Sequence, residues 1–524
     1  MQQAGFSAPT TDAGRNSISA FVHEVSAVID ANGAALAEQA PLLREEHALL
    51  EYVGATLETA SDRAPCVGLV TLDAARKTDL GVKLAGGAHS GITTRVAGTA
   101  IGYPQQISFC GPGNVTSMVL RLTRIVRETS SDLPLSISLL SELELVQIFA
   151  AIALEELDLF TDGARLAHDV RQACENALQI REPWQGGTIS QQEITALRAT
   201  LMGRFPDHPH LLRLDACGYW EALRATISHL SVYDRATILA QLWAGQNELT
   251  VLFSQMTQAL ERLDFSQDVR CGLDAILEFD ELERPLASTH SILSGRVICE
   301  MMERIEHPAI VATPTGKQLS LSRPMLAALG AELQVEVLSQ HEQGDLDADV
   351  LEFPRLPLQG EVHRPLAPRP LKGAYAYGET TDLLWRFAQE KAVFLLERAT
   401  QQHEITALVI VLPIGAATAP DRPGVLVDWL ERLQGATAAE RDASETALFV
   451  TVTGDSEQLT GYALKNQQTA GLLQGSTDQL NPTQAKDGTG QAIETALAQV
   501  FAGQSKARSQ WTSTAPFRSI SIYR

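Results

Sequence analysis

A short run of residues near the start of the chain has the layout of a loop that binds phosphate groups. The segment VGLVTLDAARKTDL, Val67 to Leu80, begins with apolar and β-branched residues, passes through a turn and continues into an expected helix. Lys77 and Thr78 match the end of the pattern G-x-x-x-x-G-K-[ST], whose backbone and lysine hold nucleotide phosphates. Thr71 and Arg76 occupy the two positions that this pattern reserves for glycine.

Both substitutions weaken the phosphate-binding interpretation. In such a loop, backbone N–H groups at a helix N-terminus surround the anion, and glycine permits the close approach and unusual φ angles that this requires. The Cβ of Thr71 obstructs that geometry, and the long side chain of Arg76 either fills the phosphate position or adds a cation beside it. The alternative interpretation is a buried strand followed by a helix, with no ligand.

The elements before and after this segment begin a first αβ block. Residues 17–61 show helical spacing of apolar side chains, broken at Asn32-Gly33. In the block itself, residues 81–102 are rich in Gly, Ala and Thr and are expected to form a loop. Ile107 to Cys110 is expected to be a short strand, and Val115 to Arg127 alternates as a strand does.

A long helical region follows the first block. Residues 142–263 carry repeated apolar stripes, which predict a helical insertion. Pro308 to Leu321 is expected to form a β-hairpin that turns at Thr315-Gly316, and Ser322 to Leu333 is expected to be a short helix.

The second αβ block lies after a Pro-rich stretch, Leu346 to Arg369, which we expect to lack regular structure. Leu383 to Arg398 and Gly424 to Leu433 are expected helices. Ala407 to Leu412 is a continuous apolar run typical of central parallel strands, and Ala447 to Thr453 is a second one. Two αβ blocks around a helical insertion predict an α/β fold of the P-loop NTPase type, with a parallel sheet.

Composition narrows the classes of partner. The chain has 524 residues and a formal net charge of -22, which argues against nucleic acid or an anionic membrane as the main partner, although solubility alone explains such acidity. The N-terminal sequence lacks the basic and apolar regions of a signal peptide, and no apolar run approaches the length of a transmembrane helix. The six cysteines form no C-x-x-C pair, so neither a zinc site nor a disulfide framework is expected.

Eight segments, in this order and spacing, resemble the SrfC-like family of bacterial virulence factors, which look like large P-loop GTPases of the dynamin-like type. The resemblance extends from about Pro65 to Leu464. The segments are VGLVTLDAARKT, GPGNVTSMVLRLT, LPLSISLLSELELVQIF, YDRATILAQLWAGQNELTVLF, RPMLAALGAELQ, DADVLEFPR, ITALVIVLPIG and LFVTVTGDSEQL.

The resemblance implies a GTPase-like domain in two parts. The expected divisions are N-terminal helices (1–62), the first part of the GTPase-like domain (63–141), a helical insertion (142–300), the second part (301–466) and a C-terminal tail rich in Gln, Gly and Thr (467–524).

The family's GTPase motifs transfer to this sequence only in part. Lys77 and Thr78 match the phosphate loop, and Thr116 matches the switch I threonine that closes over the γ-phosphate and Mg²⁺. The switch II pattern D-x-P-G reads here as Glu352-Phe353-Pro354-Arg355, and the base-reading pattern T-K-x-D reads as Thr453-Gly454-Asp455-Ser456.

Together, these departures affect phosphate binding, metal binding, the switch segments and recognition of the nucleotide base. The resemblance therefore implies a pseudo-GTPase with no catalytic residues, no metal ligands and no expected cofactor, GTP with Mg²⁺ being the alternative. The vestigial nucleotide site consists of Lys77, Thr78, Arg76, Thr116 and Glu352. In that site Lys77 either pairs with the Glu352 carboxylate across the pocket or binds nearby carbonyl groups.

Three functions remain open at this point. The first is a non-catalytic subunit of a virulence-associated complex with SrfA-like and SrfB-like partners, which the resemblance implies. The second is a slow or active GTP- or ATP-dependent conformational switch, and the third is a dynamin-like membrane remodeller, which the acidic charge disfavours. The lack of a recognisable signal peptide and the pattern of the cysteines lead us to expect the protein in the cytoplasm of the producing bacterium, with secretion or delivery elsewhere left open.

Overall fold

The structure is a computed structural model, and it divides the chain into two compact units. The described residues are 24–29, 31, 40–61, 64–71, 93–96, 99–102, 106–107, 116–123, 132–156, 163–179, 189–302, 307–336, 348–356, 377–413 and 447–453. One unit contains the described residues up to 61 and those from 163 to 231. The other contains the described residues from 64 to 156 and from 232 onward.

Helices account for most of the described residues of the first unit, and others belong to the second unit. They are α1 (Ala40–Ser61), α2 (Glu142–Glu156), α3 (Gly163–Gln179), α4 (Gln191–Arg204), α5 (Pro209–Ala216), α6 (Tyr219–Thr226), α7 (Val232–Leu239), α8 (Asn247–Arg262), α9 (Gly295–Cys299), α10 (Arg323–Leu329) and α11 (Tyr377–Gln401). Short 3₁₀ turns lie at Ile227–His229, Ala240–Trp243, Leu273–Ala275 and Glu300–Met302.

Among the described residues, the strands belong to one large sheet and two small ones. They are β1 (Cys66–Thr71), β2 (Thr93–Val96), β3 (Thr99–Gly102), β4 (Val119–Thr123), β5 (Leu135–Leu139), β6 (Asp268–Cys271), β7 (Leu277–Phe279), β8 (Pro285–Ala287), β9 (Pro308–Ala312), β10 (Gln318–Ser322), β11 (Gly330–Glu336), β12 (Asp349–Glu352), β13 (Ala407–Pro413) and β14 (Ala447–Thr453).

The first unit is helical in its described part. Helix α1 packs against α4, and α3 packs against α6. Ser190 begins α4 with a capping box, in which its hydroxyl accepts a hydrogen bond from the Glu193 N–H and the Glu193 side chain accepts one from the Ser190 N–H. Tyr219 and Trp220 are fully buried in this unit, with their rings 5.1 Å apart.

The second unit is built on a mixed sheet of ten strands in the order β10-β9-β6-β5-β11-β4-β12-β1-β13-β14. Strands β12, β1, β13 and β14 are mutually parallel, and β11 is parallel to β4. The pairs β12–β4, β11–β5, β5–β6, β6–β9 and β9–β10 are antiparallel. The sheet therefore has a parallel half around β1 and a largely antiparallel half that ends at β10.

Apolar side chains fix the position of β1 at the centre of the parallel half. All six residues of β1 are buried, and Val67 pairs in register with Val350 on one side and Ala407 on the other. Gly68 allows the closest packing, since a Cβ there would lie 3.0 Å from Leu408 Cδ1 and 3.2 Å from Phe353 Cε2. In the antiparallel half, buried and half-buried residues alternate along β6, where Val269 and Cys271 have no exposed surface.

Helices α2, α8 and α11 form an aromatic core in this unit. The Phe149 ring of α2 lies 5.6 Å from Phe253 of α8 and 5.4 Å from Phe387 of α11. Trp243, in the 3₁₀ turn before α8, lies 5.8 Å from Phe149 and 5.2 Å from Phe253. Together these rings remove a large apolar area from water between the three helices.

Several sequence-based predictions are confirmed. The region from α2 to α8 is helical, α11 contains the expected helix, and β4, β13 and β14 lie where strands were expected. The hairpin of β9 and β10 turns at Thr315-Gly316 as predicted, with Gly316 at a φ of 88°. The chain is mixed α/β as expected. The expected helix at 424–433 lies outside the described residues.

Other predictions are wrong. The sheet is mixed rather than parallel, because β4, β5, β6, β9 and β10 contribute antiparallel pairs. The expected loop at 81–102 contains the hairpin of β2 and β3, and Ile107 lies in a helical turn instead of a strand.

Two further corrections concern the large sheet. The expected helix from Ser322 to Leu333 ends at Leu329, because the chain becomes extended at Gly330 and continues as β11. The Pro-rich stretch contains β12, a four-residue strand that sits between β1 and β4.

Candidate functional site

The candidate site is the edge of the sheet at which the parallel strands end. Because β12, β1, β13 and β14 run in one direction, their last residues, Glu352, Thr71, Pro413 and Thr453, meet along that edge. Ligands of open αβ sheets bind outside the carboxyl ends of parallel strands. Strand β4 runs the opposite way beside β12, with Leu120 opposite Glu352, so the residues that precede β4 reach the same edge.

Glu352 ends β12 as a buried carboxylate. Only 3% of its surface is exposed, and it pairs in register with Leu69 of β1. After Glu352 the chain continues along the end of β1: the Phe353 N–H donates to the Leu69 carbonyl at 3.0 Å, and the Leu356 N–H donates to the Thr71 carbonyl at 3.4 Å. The segment that resembles switch II is therefore held against β1.

Thr71 is part of β1 and not of a loop. It is fully buried and pairs in register with Val411 of β13. A β-branched residue favours this extended backbone, whereas the glycine of a phosphate loop is used where the chain must turn sharply. The first glycine position of the motif is thus occupied by an ordinary strand residue.

Residues Thr116 to Met118 are fastened to a neighbouring turn. Thr116 forms an isolated antiparallel bridge with Ser294. The Ser117 N–H donates to the Leu293 carbonyl at 2.8 Å, and the Ser117 hydroxyl donates to the Ile292 carbonyl. Ser117 is 4% exposed, so these hydrogen bonds are shielded from water. The segment that resembles switch I is anchored at this point by backbone and side-chain bonds.

The structure brings two of the predicted site residues to one edge. Glu352 ends β12, and Thr116 lies three residues before β4, the neighbouring antiparallel strand whose first residues are at the same edge. Arg76, Lys77 and Thr78 lie outside the described residues, as do the residues that follow Thr453 in the base-reading segment. The proposed pairing of Lys77 with Glu352 therefore stays a prediction.

Sequence reasoning missed a charged cluster toward the other ends of these strands. The Arg121 guanidinium of β4 contacts three carboxylates: Glu332 at 2.7 Å, Asp349 at 3.1 Å and Glu404 at 3.3 Å. Burial disfavours the charged guanidinium, but the carboxylates outweigh it and raise the pKa of Arg121. The cluster ties β4, β11, β12 and the chain before β13 together. The arginine inside the apolar strand VLRLT was the signal that could have indicated it.

The sequence also gave no indication of a buried ion pair between two helices of the second unit. Glu142, at the start of α2, accepts two hydrogen bonds from Arg235 of α7, Nε to Oε1 at 3.0 Å and Nη2 to Oε2 at 2.8 Å. Their side chains are 2% and 0% exposed. Burial raises the pKa of the Glu142 carboxyl, and the bonds from Arg235 oppose that rise.

The described residues offer neither a metal site nor a membrane-spanning helix. They contain no group of three or more His, Cys, Asp or Glu side chains placed to hold a metal ion. Within the same residues, none of the helices has the length and apolar character needed to cross a membrane.

Comparison with known proteins identifies a family over almost the whole chain. No curated protein matches the sequence. A family described as "Putative bacterial virulence factor" matches residues 26–524, which include both units and the candidate edge. The chain therefore belongs to this family of bacterial virulence factors.

Proposed function

We propose that this protein is a pseudo-GTPase: a non-catalytic, GTPase-like subunit of a virulence-associated complex that acts through protein–protein contacts. Its partners are then other subunits of that complex, of the SrfA-like and SrfB-like kinds. The observation that carries the proposal is that hydrogen bonds hold the segment resembling switch I in place. This segment lies at an edge where the residues differ from those that an active GTPase uses.

The order of the strands supports descent from a nucleotide-binding fold. Strand β1 is flanked by two parallel strands, β12 and β13, and the chain that follows it carries the Lys77-Thr78 pair. In such folds the loop after the first strand and the end of the strand beside it face the bound nucleotide. Glu352 ends the strand next to β1, in agreement with the alignment to switch II.

The residue types at this edge argue against hydrolysis. An active GTPase uses an aspartate at the end of this strand to hold Mg²⁺ and a glycine N–H to contact the γ-phosphate. Glu352 carries its carboxylate one methylene farther out, and Arg355 replaces the glycine. Because phosphoryl transfer depends on positioning and electrostatic stabilisation, losses at several of these positions compound.

The hydrogen bonds around Thr116 argue against a switching role. A switch segment must leave and regain its place as the γ-phosphate is lost and bound. Here Ser117 is bonded through both its N–H and its hydroxyl to the turn at Ile292–Leu293, and Thr116 bridges to Ser294. Releasing the segment would break these shielded bonds, each of which is costly to leave unmade. A segment held in this way is what we expect of a protein that binds its partners without a nucleotide-dependent change in conformation.

The first test is a thermal-shift titration of the purified full chain with Mg²⁺-GTP, Mg²⁺-GDP and Mg²⁺-ATP. We expect no rise in melting temperature for wild type or for Lys77→Ala, with Lys317→Ala as the control for losing an exposed lysine. A nucleotide that binds only the folded chain and is present at about 100 times its Kd would add about 2.7 kcal/mol to the free energy of unfolding. A dose-dependent rise that Lys77→Ala abolishes would instead favour the nucleotide-dependent switch.

The second test concerns the complex. Purified chain is mixed with purified SrfA-like and SrfB-like proteins, and complex formation is followed by size-exclusion chromatography without nucleotide. Co-elution with either protein is the expected result. If neither protein binds, with or without Mg²⁺-GTP, the proposed role as a complex subunit is wrong.

A further inference from the structure

A small hairpin in the second unit exposes more apolar surface than a short hairpin in water would be expected to carry. Strands β7 and β8 pair antiparallel, with residues 280–284 between them. Phe279 is 42% exposed, Leu282 at the tip is 72% exposed, and Leu286 on the return strand is 48% exposed. Three large apolar side chains are therefore exposed within eight residues. Phe279 pairs with Pro285 and Leu286 pairs with Glu278, so Phe279 and Leu286 lie on opposite faces of the hairpin.

The tip of the hairpin is held rigid by the Asp280 carboxylate. Its Oδ1 accepts hydrogen bonds from the Leu282 N–H at 2.9 Å and the Arg284 N–H at 2.8 Å, and its Oδ2 accepts one from Arg284 Nε at 2.7 Å. The Asp280 N–H also donates to the Arg284 carbonyl. Leu282 is thus presented on an ordered turn, and a partner that binds it pays little entropy to fix the loop.

The base of the hairpin is fixed to the rest of the unit. Leu277 is 1% exposed, so its side chain is packed inside the unit, and the buried Ser288 hydroxyl joins the two strands of the hairpin by donating to the Glu278 carboxylate at 2.8 Å. Gln106 Nε2 donates to the Pro285 carbonyl, and its Oε1 accepts from the Gly102 N–H at 2.7 Å. An isolated two-stranded hairpin is marginally stable in water, so these contacts hold the element in a projecting position.

The charges around the apolar residues select the kind of partner. Residues 278–284 contain Glu278, Asp280, Glu281 and Glu283 against one cation, Arg284, which is already paired with Asp280. A second copy of this chain would bring a net charge of -22 toward the same acidic hairpin. An anionic bilayer would be repelled as well. A basic protein surface is the complementary occupant.

We infer that the hairpin of β7 and β8 is a docking element for a partner protein, whose apolar pocket receives Leu282 and Phe279 and whose Lys or Arg side chains surround that pocket. This inference rests on the proposed role as a complex subunit and identifies the surface through which that role is carried out. Exposed apolar residues of this size within a charged rim are the usual composition of a protein interface.

The test measures the affinity of the full chain for the SrfA-like or SrfB-like protein that co-elutes with it, by biolayer interferometry. Leu282→Ser is expected to weaken binding about tenfold or more, as truncation of an interface anchor does. Leu178→Ser is the matched control, since Leu178 on α3 is 60% exposed, and it is expected to leave affinity unchanged. Glu281→Lys is expected to weaken binding about threefold to tenfold, mainly by slower association, with Glu175→Lys on α3 as its control.

Each outcome separates the two proposals. If wild type binds and Leu282→Ser binds equally well, the docking inference is wrong while the complex remains. Binding that strengthens with salt, self-association that Leu282→Ser abolishes, or liposome co-sedimentation that it abolishes would also overturn the inference. If wild type binds neither partner, both proposals fall.

Discussion

The side chains of Glu142 and Arg235 form an ion pair that is almost completely removed from water. Replacing Glu142 by alanine leaves the Arg235 guanidinium buried without its carboxylate partner. We expect Glu142→Ala to lower the free energy of unfolding by about 3–5 kcal/mol, because an uncompensated buried charge is strongly destabilising. Urea denaturation followed by tryptophan fluorescence measures the change.

An exposed ion pair supplies the comparison for Glu142. Lys317 and Asp264 are 2.7 Å apart, but their side chains are 45% and 58% exposed. Lys317→Ala is expected to lower the free energy of unfolding by at most about 1 kcal/mol, since water screens such exposed pairs. If Glu142→Ala and Lys317→Ala lowered the free energy of unfolding equally, burial would not set the strength of the Glu142–Arg235 contact.

Lys391 makes stability depend on pH. Its side chain is fully buried in α11, and its Nζ donates to the Ala327 carbonyl at 2.6 Å, near the end of α10. Burial, assisted by the charge of Arg398, lowers the pKa of Lys391 well below its ordinary value. In the unfolded chain the amine binds a proton up to about pH 10.4. Between the folded and unfolded pKa values the unfolded state therefore binds more protons, and stability rises with pH.

Lys391→Met should remove this dependence. Where the folded amine is neutral, the free energy of unfolding of wild type is expected to rise by up to about 1.4 kcal/mol per pH unit more than that of Lys391→Met. Denaturation at pH 7, 8 and 9 measures the slopes, and Lys317→Met tests whether loss of any lysine has the same effect. Parallel slopes for wild type and Lys391→Met would contradict a depressed pKa.

Two glycines in regular elements should respond oppositely to the same substitution. A Cβ on Gly68 of β1 would meet Leu408, Phe353 and Ile405 at 3.0–3.3 Å, whereas a Cβ on Gly203 of α4 would meet nothing within 4 Å. We expect Gly68→Ala to cost about 1–3 kcal/mol through overpacking. Gly203→Ala should stabilise by about 0.5–1 kcal/mol, because alanine is the better helix residue.

The measurement for this pair is urea unfolding of each variant against wild type. Because each variant adds one methyl group to a glycine, the difference in sign isolates the local packing. A Gly68→Ala variant as stable as wild type would mean that the neighbours of β1 move aside. The centre of the sheet would then be less tightly packed than the distances around Gly68 indicate.

Strand direction and short strands account for most of what sequence could not predict about the elements. The run Ala407–Leu412 predicted a central strand, because burial on both faces requires unbroken apolar residues. Asp349–Glu352 was expected to be irregular, because four residues before a proline carry little local signal. That strand depends on β1 and β4, which lie more than 200 positions earlier in the sequence.

The candidate site also has a part that the sequence predicted and a part that it could not predict. Thr116 and Glu352 were selected from motif positions, and the antiparallel pairing of β4 with β12 brings the chain that precedes β4, which includes Thr116, to the edge where Glu352 ends β12. The turn at Ile292–Leu293 that holds Ser117 was not expected, since hydrogen bonds to carbonyl groups leave no mark on residue type. The Arg121 cluster unites four distant segments, which a single sequence does not reveal.

The excess negative charge of the whole chain should make its stability depend on salt. A net charge of -22 destabilises a compact state through self-repulsion. Raising the salt concentration from about 0.01 M to about 0.15 M shortens the Debye length from about 30 Å to about 8 Å. We expect the melting temperature at pH 7 to rise over this range, as differential scanning calorimetry would record.

The same salt titration near the isoelectric point is the control. The sequence has an isoelectric point near 5.0, where the net charge and its repulsion vanish. The salt-induced rise should disappear there. A melting temperature that falls with salt at pH 7 would show that screening of ion pairs such as Arg121–Glu332 outweighs relief of repulsion.

The two buried thiols of the ten-stranded sheet give it a pair of intrinsic reporters. Cys66 lies in β1 of the parallel half and Cys271 in β6 of the antiparallel half, and burial raises the pKa of both thiols. A thiol reagent reacts with the thiolate, so each cysteine is modified only when its strand opens to solvent. Mass spectrometry of the peptides labelled over time would then rank the opening free energies of the two halves, with no probe introduced into the chain.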